Sequence, residues 1–442
     1  MLSEEENELL TRVGPGTPMG NLMRQYWLPA LLSSELPDPD CPPIRARLLG
    51  EDLVAFRDTQ GQVGLLGANC PHRGAPLFFG RNEERGLRCI YHGWKFDVSG
   101  RCVAMPNVPP ESDYKEKVRA KTYPCLDRNG IIWAYMGPLD PPPELPRLDF
   151  ANLPPENRYF MKQYYECSWL QVLEGDFDPS HSSFLHASLE PPKAPRDPRP
   201  EQMGDVAREA VVRWDDRQPL VMTVNTDYGL LVGARREAGP DYYWRLNLFV
   251  MPFYAFVPTV IDNPLHCNAW VPVDDNNTLV LRMDYHLDRP FTDEELARLK
   301  SGIGSTGAPN TYLPPTTAPG GAWMPNLHRG NDYLVDREVQ RTKGYSGIRG
   351  IWAQDKAVTE GMGPIIDRTQ EHLGPSDVGV IQVRRLLMTA TRALQEHGAT
   401  PPGVTSWPAT VHSTIVFLPN QLTWEEVADA LISGRLKASQ TS

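Results

Sequence analysis

Hydrophobic and polar residues alternate in short runs along much of the chain, as expected of β-strands that bury one face. Two such runs flank a loop-rich stretch early in the sequence: Leu53–Phe56 and Ile131–Tyr135. Four more follow further along the chain: Val221–Asn225, Tyr242–Val250, Ala269–Pro272 and Thr278–His286. Between the two groups, the proline-rich run 139–146 has the composition of a linker. The pattern therefore predicts two β-rich units joined by that linker.

Helical spacing of apolar residues is confined to a few segments. One is Gln354–Met362, and another is 291–300, which begins with a capping signal. Two further helices are predicted near Gly20–Trp27 and from Trp424 to Gly434. Residues 302–321 are rich in Gly, Pro, Thr and Ser without periodicity, which predicts a loop, either over an active-site mouth or simply at the surface.

The composition is that of an ordinary globular protein, with 442 residues, 40% hydrophobic and 22% charged. This length predicts two or three domains. The net charge of −11 and the absence of a basic run argue against a nucleic-acid partner. The acidic start at residues 3–6 is unlike a signal peptide, and no apolar run approaches the roughly 20 residues that cross a bilayer. We therefore expect neither a nucleic-acid nor a membrane partner.

Two loops of similar form each offer one thiol and one imidazole. Cys70 and His72 lie in the first loop and Cys89 and His92 in the second, with 16 residues between the loops. A Rieske [2Fe–2S] cluster needs this alternation, because one iron binds two cysteines and the other binds two histidines. Zinc sites also use Cys and His but usually group like residues at each end. The ligand order favours the iron–sulfur cluster, with zinc as the alternative.

The other cysteines show no disulfide or zinc spacing; they are Cys41, Cys102, Cys125, Cys167 and Cys267. Unpaired cysteines of this kind are typical of reduced, mostly buried thiols. We therefore expect a cytoplasmic protein.

A second motif, from Asp178 through His181 to His186, offers two more imidazoles. Asp178 and His181 share a helical face, whereas the two histidines are five positions apart and need a widened turn or a helix end near residues 182–183 to reach one metal. Non-haem Fe(II) oxygenases bind iron through two histidines and one carboxylate. Spacing alone cannot choose the carboxylate; the candidates are Asp332, Asp336, Asp355, Asp367 and Asp377.

With both metal motifs, the chain resembles the α subunits of Rieske non-haem iron aromatic-ring-hydroxylating oxygenases, specifically their phthalate dioxygenase-like group. The similarity extends over most of the chain. Besides the metal motifs, it includes the segments Thr11–Gly20, Leu173–Gly175, Asn331–Leu334, Gln354–Val358 and Asp367–Gly374.

The resemblance implies an α+β protein in which a Rieske [2Fe–2S] β domain precedes a catalytic domain of the helix-grip (START-like) type, with an antiparallel sheet flanked by helices. Together with composition, it gives the expected boundaries: a lead-in segment 1–40, the Rieske domain 41–138, a linker 139–158, the catalytic domain 159–400 and a tail 401–442 with a short helix.

The resemblance also assigns the iron ligands. Cys70, His72, Cys89 and His92 would hold the cluster, and His181 and His186 the mononuclear Fe(II). In the family the third ligand lies on a downstream helix and is followed five residues later by Glu. Asp355, followed by Glu360, fits best, and Asp367 is the fallback.

The resemblance gives Asp178 a catalytic role, because it would connect His181 to the cluster ligand His92 of a neighbouring subunit and carry electrons between them. The working unit would then be a homo-oligomer, either a trimer or stacked trimers. The alternative role is a helix N-cap, since Pro179 follows at a first helical position. We expect that one side chain cannot easily serve both roles.

The resemblance implies a terminal oxygenase component with O2 as co-substrate. The chain lacks a dinucleotide fingerprint, a flavin motif and a plant-type ferredoxin spacing, so a separate NAD(P)H-dependent reductase or ferredoxin must supply electrons. The expected reaction is ring dihydroxylation of an aromatic acid such as a phthalate-type aryl carboxylate. The alternatives are O-demethylation or hydroxylation of a methoxyaryl or sulfonated aromatic acid, or a Rieske electron carrier without its own catalysis.

An anionic substrate needs a cation, and arginine can bind a carboxylate through two hydrogen bonds. Arg245 lies on a predicted strand and is the first candidate, followed by Arg208 and Arg235. For each, a surface salt bridge is an equally good interpretation. Four nearby aromatic residues could line a pocket, but we expect them in the hydrophobic core: Phe249, Phe253, Tyr254 and Phe256.

Overall fold

The computed structural model of the chain describes residues 1–112, 114–192, 205–258, 264–301, 311–407 and 412–436, without the side chains of residues 110, 149, 151, 205 and 206. Two β-rich units and several helices make up these residues, so the predicted α+β class is confirmed. Among the described residues, no helix combines the length and apolar character needed to span a membrane.

The chain begins with two short capped helices, α1 (Glu4–Thr11) and α2 (Pro18–Met23). The helix predicted near residues 20–27 therefore ends at Met23, and the prediction was wrong for its second half. Residues 27–32 instead form the strand β1 (Trp27–Leu32), which is buried throughout and pairs antiparallel with residues 131–135. Tertiary pairing decides the structure here, because buried apolar residues gain more from a sheet than from an isolated helical turn.

Small antiparallel sheets form the first β-rich unit. Its strands after β1 are β2 (Ile44–Leu48), β3 (Glu51–Arg57), β4 (Val63–Gly67), β5 (Arg81–Glu83), β6 (Gly86–Arg88), β7 (Lys95–Phe96), β8 (Cys102–Ala104), β9 (Thr122–Tyr123), β10 (Cys125–Arg128) and β11 (Ile131–Tyr135). The strand orders are β1-β11-β10, β2-β3-β4-β9 and β5-β6-β7-β8. Cys70, Cys89 and Trp94 belong to a hydrophobic cluster separate from the main core, which fixes the bases of both cysteine–histidine loops.

The remaining elements form the second unit. In chain order they are α3 (Asp149–Asn152), β12 (Arg158–Tyr165), α4 (Trp169–Asp176), α5 (Asp205–Asp215), β13 (Leu220–Asn225), β14 (Gly229–Ala238), β15 (Asp241–Val250), β16 (Tyr254–Phe256), β17 (Leu265–Asp274), β18 (Asn277–Tyr285), α6 (Asp293–Ser301), α7 (Arg337–Thr342), α8 (Ile351–Gly361), α9 (Val378–His397), β19 (Thr414–Pro419) and α10 (Trp424–Ile432). The four strands predicted in this part of the chain are confirmed within β13, β15, β17 and β18, and three predicted helices are confirmed as α6, α8 and α10.

One antiparallel sheet organises this unit, in the order β12-β18-β17-β16-β15-β14-β13. Strand β15 pairs with β14 along its whole length. Its other edge pairs with two strands: residues 241–246 with β19 and residues 248–250 with β16. The sheet therefore forks beside Asn247. The four aromatic residues considered for a pocket are buried in the core around this fork.

Helices α4 and α8 pack against each other, and α4 also contacts β17, while α9 lies across β13 and β14. This packing brings the segment after α4, which carries His181, beside α8, which carries Asp355. Of the predicted loop 302–321, residues 302–310 lie outside the described residues, and 311–321 form no helix or extended strand. Strand β1, from the predicted lead-in segment, pairs in one sheet with β10 and β11. The domain boundaries given above stay predictions.

Candidate metal centres

The two cysteine–histidine loops have the same backbone design. The N–H of Gly74 donates to the carbonyl of Cys70 at 2.9 Å, and that of Gly93 donates to Cys89 at 3.0 Å. Both glycines have positive φ, 71° and 74°, a conformation that other residues rarely adopt. A Cβ on Gly93 would also lie 2.7 Å from Pro106. Glycine is therefore required to close each loop tightly behind its cysteine.

The structure brings the four predicted cluster residues together. The rings of His72 and His92 lie 4.6 Å apart, and the buried thiols of Cys70 and Cys89 interact with each other. Burial raises the pKa of Cys70 to about 11, so a thiolate there needs a bound cation. Nδ1 of His92 is buried without a hydrogen-bond partner among the described residues, which is unusual unless the atom binds a metal. The donor set therefore fits a Rieske cluster.

Apolar side chains surround the cluster loops at the protein surface. Phe79, Ile90 and Tyr91, which we call the cluster tip, are 56%, 61% and 54% exposed. His72 is half-buried and stacks on Trp94 at 4.2 Å. Exposed apolar groups that lie side by side often mark a protein interface.

The three predicted ligands of the mononuclear iron meet in the second unit. Oδ1 of Asp355 lies 3.2 Å from Nε2 of His186 and 3.8 Å from Nε2 of His181, and the two nitrogens are 3.2 Å apart. Two atoms bound about 2.1 Å from one metal and about a right angle apart lie about 3 Å from each other. The convergence of two imidazoles and a carboxylate oxygen within 4.8 Å fits one iron ion.

A short 3-10 turn explains how histidines five positions apart reach one point. The turn covers His181–Ser183, and its last hydrogen bonds run from the N–H groups of Phe184 and Leu185 to the carbonyl of His181. Helix α4 has already ended at Asp176, and after the 3-10 turn the chain brings His186 back toward His181. The helix end expected near residues 182–183 is confirmed.

Asp355 lies on α8 and is the carboxylate that the structure brings to the histidines. The fallback, Asp367, instead accepts a hydrogen bond from the N–H of Thr369 and caps a 3-10 turn. Asp336 caps α7 in the same manner.

Asp178 faces His181 but is not the N-cap of a helix, because the 3-10 turn that follows has Ser180 at its N-cap position. Its bridge to His92 of a neighbouring subunit stays a prediction. Its Oδ1 accepts hydrogen bonds from the N–H and hydroxyl of Ser180, at 2.8 and 2.6 Å, while its Oδ2 faces Nδ1 of His181 at 3.5 Å. A carboxylate has two oxygens, and here one stabilises the local turn while the other faces His181. Burial opposes ionisation, but His181 and Ser180 outweigh it and lower the pKa of Asp178 to about 2.

Gln354 contacts His186 and was not identified as a site residue from the sequence. Its Oε1 lies 2.7 Å from Nδ1 of His186. The only sequence signal is its position directly before Asp355 on the predicted helix.

Asp176, the last residue of α4, is a second residue near the site that was not identified from the sequence. Its carboxylate accepts hydrogen bonds from Nε1 of Trp270 at 2.6 Å and from Nδ2 of Asn268 at 3.2 Å. Burial raises the pKa of Asp176 to about 7, although both hydrogen bonds act in the opposite direction. The contact joins the end of α4 to β17 and so fixes the start of the turn that carries Asp178.

A cavity of about 570 Å³ adjoins the three iron-ligand candidates, a size typical of small-molecule sites. The sheet supplies its polar wall, which consists of Arg245, Asn247, His266, Asn268, Trp270 and Arg282. The rim of the cavity is apolar and partly exposed; it includes Phe184, Tyr345, Val358 and Met362.

Most polar groups of this wall are already paired with the protein. Asn247 donates to the carbonyl of Asp176, Asn268 and Trp270 bind its carboxylate as described above, and Arg282 forms an ion pair with Asp284. Arg245 and His266, by contrast, have no hydrogen bond or ion pair with any described residue, and Nδ1 of His266 is buried. These two side chains are therefore available to a ligand.

The other candidate arginines lie elsewhere. Arg208 on α5 forms an ion pair with Asp241 at 2.7 Å, and its guanidinium lies over the ring of Phe417. Arg235 stacks on Tyr242. The structure does not bring Arg208 to the cavity, and its predicted contact with substrate stays a prediction.

A buried ion pair anchors α8. Nζ of Lys356 contacts the carboxylate of Glu360 and donates to the carbonyl of Tyr164 at 2.6 Å, and both charged side chains are fully buried. We expect Lys356→Met to destabilise the catalytic unit by about 3 kcal/mol, because Glu360 keeps a buried charge without its cation. Thermal unfolding followed by tryptophan fluorescence measures the loss.

Arg341→Met is the matched control for this prediction, since it removes one partner of the exposed pair with Glu338 and should leave unfolding unchanged. Equal unfolding temperatures for Lys356→Met and the wild type would contradict the anchoring role.

Comparison with known protein families covers both units. The family described as Rieske [2Fe-2S] domain matches residues 26–124, and the family described as LigXa C-terminal domain like matches residues 134–431.

Three relatives are similar over most of their length. The 3-chlorobenzoate-3,4-dioxygenase oxygenase subunit of Comamonas testosteroni is 40% identical over 99% of this chain and 100% of that protein. The phthalate 4,5-dioxygenase oxygenase subunit of Pseudomonas putida is 36% identical over 96% and 94%. The 5,5'-dehydrodivanillate O-demethylase oxygenase subunit of Sphingobium sp. is 33% identical over 87% and 79%.

Solved structures share the fold at low sequence identity. The NdmA QL mutant of Pseudomonas putida CBB5 with caffeine has a TM-score of 0.57 and 19% identity, over 88% of this chain and 96% of that one. The oxygenase in a complex with the ferredoxin of carbazole 1,9a-dioxygenase has a TM-score of 0.52 and 18% identity, over 92% and 97%.

Proposed function

This chain belongs to the Rieske oxygenases, and we propose that it is the terminal oxygenase component that dihydroxylates the ring of an aromatic acid, such as a phthalate-type aryl carboxylate. One observation carries the proposal: the cavity that the two histidines and Asp355 line is also lined by Arg245 and His266, which have no hydrogen bond or ion pair with any described residue. Two relatives named for dioxygenation of aryl carboxylates support dioxygenase over monooxygenase activity.

Each cofactor fits one of the two sets of donor residues described above. When bound, the Rieske cluster supplies single electrons and the mononuclear iron activates O2 beside the substrate. His181, His186 and Asp355 would hold the iron, and the cavity that they line has room for O2 and substrate. Electrons come from NADH through a separate reductase or ferredoxin, since the chain has no nucleotide or flavin motif.

The polar wall of the cavity selects an anion. Arg245 offers a guanidinium that can bind a carboxylate through two hydrogen bonds. Burial, together with Arg282 and Arg245, keeps the pKa of His266 well below its usual range, so its imidazole is neutral. A neutral imidazole donates one hydrogen bond and accepts another. The substrate carboxylate therefore lies against Arg245 and His266, and the aromatic ring points toward the iron ligands.

The electron route requires a second copy of the chain. Oδ2 of Asp178 faces His181, and the side chain of Asp178 is 27% exposed, so a neighbouring molecule can reach it. The cluster tip of another subunit, exposed and apolar, has the character of the surface that would cover this site. A ring of three subunits, alone or stacked on a second ring, places each cluster beside the next Asp178. The five cysteines outside the cluster loops form no disulfide, which supports a cytoplasmic location.

O-demethylation of a methoxyaryl acid is the second candidate function. The relative named as an O-demethylase supports it, and an arginine that binds a carboxylate would serve either reaction. The two reactions differ in product: dihydroxylation gives a cis-diol, whereas demethylation gives a phenol.

A substrate panel tests the proposal. The iron-loaded protein, with about three irons per chain, is incubated with O2, NADH and a surrogate reductase. The panel contains phthalate, 3-chlorobenzoate, methoxybenzoates and sulfobenzoates. We expect a cis-diol from an aryl carboxylate, and a phenol from a methoxybenzoate would favour the second candidate. No product from any acid, although the cluster is reduced normally, would refute the proposed substrate class.

Arg245→Leu is expected to raise KM for the preferred aryl carboxylate about 100-fold, because a charge-assisted hydrogen bond contributes about 1.5–3 kcal/mol and 1.4 kcal/mol corresponds to a factor of ten. Steady-state turnover of 3-chlorobenzoate and of its neutral amide measures the effect, and only the acid should lose affinity. Arg208→Leu is the matched control. If Arg208→Leu raised KM and Arg245→Leu did not, the anion site would be at Arg208.

A further inference from the structure

We propose that Gln354 is a positioning residue of the mononuclear iron site. It holds His186 in the tautomer and orientation that present Nε2 to the metal, and it does so with an uncharged group. The contact between Oε1 of Gln354 and Nδ1 of His186 measures 2.7 Å. The inference rests on the proposed role of His186 as an iron ligand.

The hydrogen-bond network assigns the orientation of the Gln354 amide. Its Nε2 donates to the carbonyl of Ile348 at 2.7 Å, so its Oε1 must be the atom that faces His186. An amide oxygen only accepts hydrogen bonds, and Nδ1 of His186 must therefore carry the proton. The lone pair of His186 is then on Nε2, the atom that faces Asp355 at 3.2 Å.

Ile348, whose carbonyl accepts the hydrogen bond from the Gln354 amide, belongs to a segment that also hydrogen-bonds to the backbone after His186. We call residues 343–350 the strap. The N–H of Leu189 donates to the carbonyl of Lys343, and the N–H of Tyr345 donates to the carbonyl of Ala187. The strap thus fixes both the main chain next to His186 and, through Gln354, its imidazole. Tyr345 of the strap lines the cavity, so the cavity rim and the iron site share one support.

The two histidines have outer partners of different charge. His181 faces the carboxylate of Asp178, whereas His186 faces the neutral amide of Gln354. With Fe²⁺ present, Asp355 and Asp178 together already balance the two positive charges. A second outer carboxylate would add a net negative charge at a partly buried site, where it is costly, and would make His186 a stronger donor to the metal. Glutamine supplies the acceptor without that charge.

Metal binding tests the proposal without any turnover. Protein that keeps its Rieske cluster but lacks the mononuclear metal is titrated with Co²⁺, and the Co²⁺ absorption bands report affinity and ligand field. Gln354→Leu should weaken Co²⁺ binding about 10- to 100-fold, as loss of an outer partner typically does. Gln354→Glu keeps the shape of the side chain and the acceptor toward His186 but loses the donor to the carbonyl of Ile348; it should retain Co²⁺ but shift its absorption bands.

Turnover gives an independent readout. Gln354 does not line the cavity among the described residues, so both variants should lower kcat for 3-chlorobenzoate with little change in KM. Gln370→Leu, an exposed glutamine, is the matched control and should behave as the wild type.

Wild-type Co²⁺ affinity in Gln354→Leu, or unshifted bands in Gln354→Glu, would overturn the proposal. Failure of the underlying assignment would look different, because Co²⁺ would then bind the wild type and His186→Ala alike. If Gln354→Leu does not fold, the band shift in the isosteric Gln354→Glu decides alone.

Discussion

Replacement of Asp355 by alanine is expected to abolish substrate turnover while the visible spectrum of the Rieske cluster stays unchanged. Asp355 is the carboxylate that meets both imidazoles, and two histidines alone hold iron poorly in an open site. We expect turnover to fall at least about a thousandfold, since metal activation is worth several kcal/mol and each 1.36 kcal/mol is a factor of ten. The spectrum should persist because the cluster loops belong to a separate hydrophobic cluster.

Iron analysis and single-turnover assays check this prediction. The wild type should contain about three irons per chain and Asp355→Ala about two. His181→Ala should behave in the same manner. Asp367→Ala is the control, because that carboxylate caps a turn away from the histidines and its loss should change neither iron content nor turnover. Normal turnover in Asp355→Ala, or loss of its cluster spectrum, would contradict two independent iron centres.

The sequence was sufficient for the metal motifs because their ligands are close together in the chain. The order of Cys70, His72, Cys89 and His92 indicated a mixed-ligand cluster without any tertiary information. The five-residue interval between His181 and His186 predicted a widened turn or a helix end near residues 182–183, and a 3-10 turn ends there. Local spacing and local backbone geometry are directly related, which is why these inferences were possible.

Contacts between distant segments could not be predicted in this way. Asp355 lies 169 positions after His186, and only the family resemblance selected it among five carboxylates. Gln354 and His266 belong to no spacing pattern, since their roles depend on how α8 and β17 pack beside the turn that carries His181. The fork of β15 between β16 and β19 likewise depends on long-range pairing.

Asp178 shows a limit of a different kind. From the sequence we expected Asp178 to be either a helix N-cap or a bridge to His181, but the helical turn begins only at His181, with Ser180 at its N-cap position. In the structure the two oxygens of Asp178 act separately: one accepts hydrogen bonds from Ser180, and the other faces His181. The contact with Ser180 therefore fixes the orientation of the oxygen that the proposed electron route uses.

Co-assembly of two inactive variants is expected to restore activity if electrons pass between subunits. His181→Ala keeps the cluster but loses the iron site, and Cys89→Ala keeps the iron site but loses the cluster. In a ring of three, any mixed trimer has one junction where a cluster-competent chain precedes an iron-competent chain, so activity should be about one third of the wild type. Tandem purification of differently tagged chains isolates mixed trimers, and each variant alone should be inactive.

Placing Asp178→Ala on one or the other chain of these mixed trimers tests the direction of electron transfer. Asp178 faces His181 of its own chain, so Asp178→Ala should remove the restored activity only when it is placed on the iron-competent chain. On the cluster-competent chain, whose own His181 is already replaced, the same change should have no effect. Mixed trimers without activity would refute transfer between subunits. If activity fell equally with Asp178→Ala on either chain, Asp178 would support assembly and would not lie on the electron route. A residue on the route is needed only on the iron-competent chain.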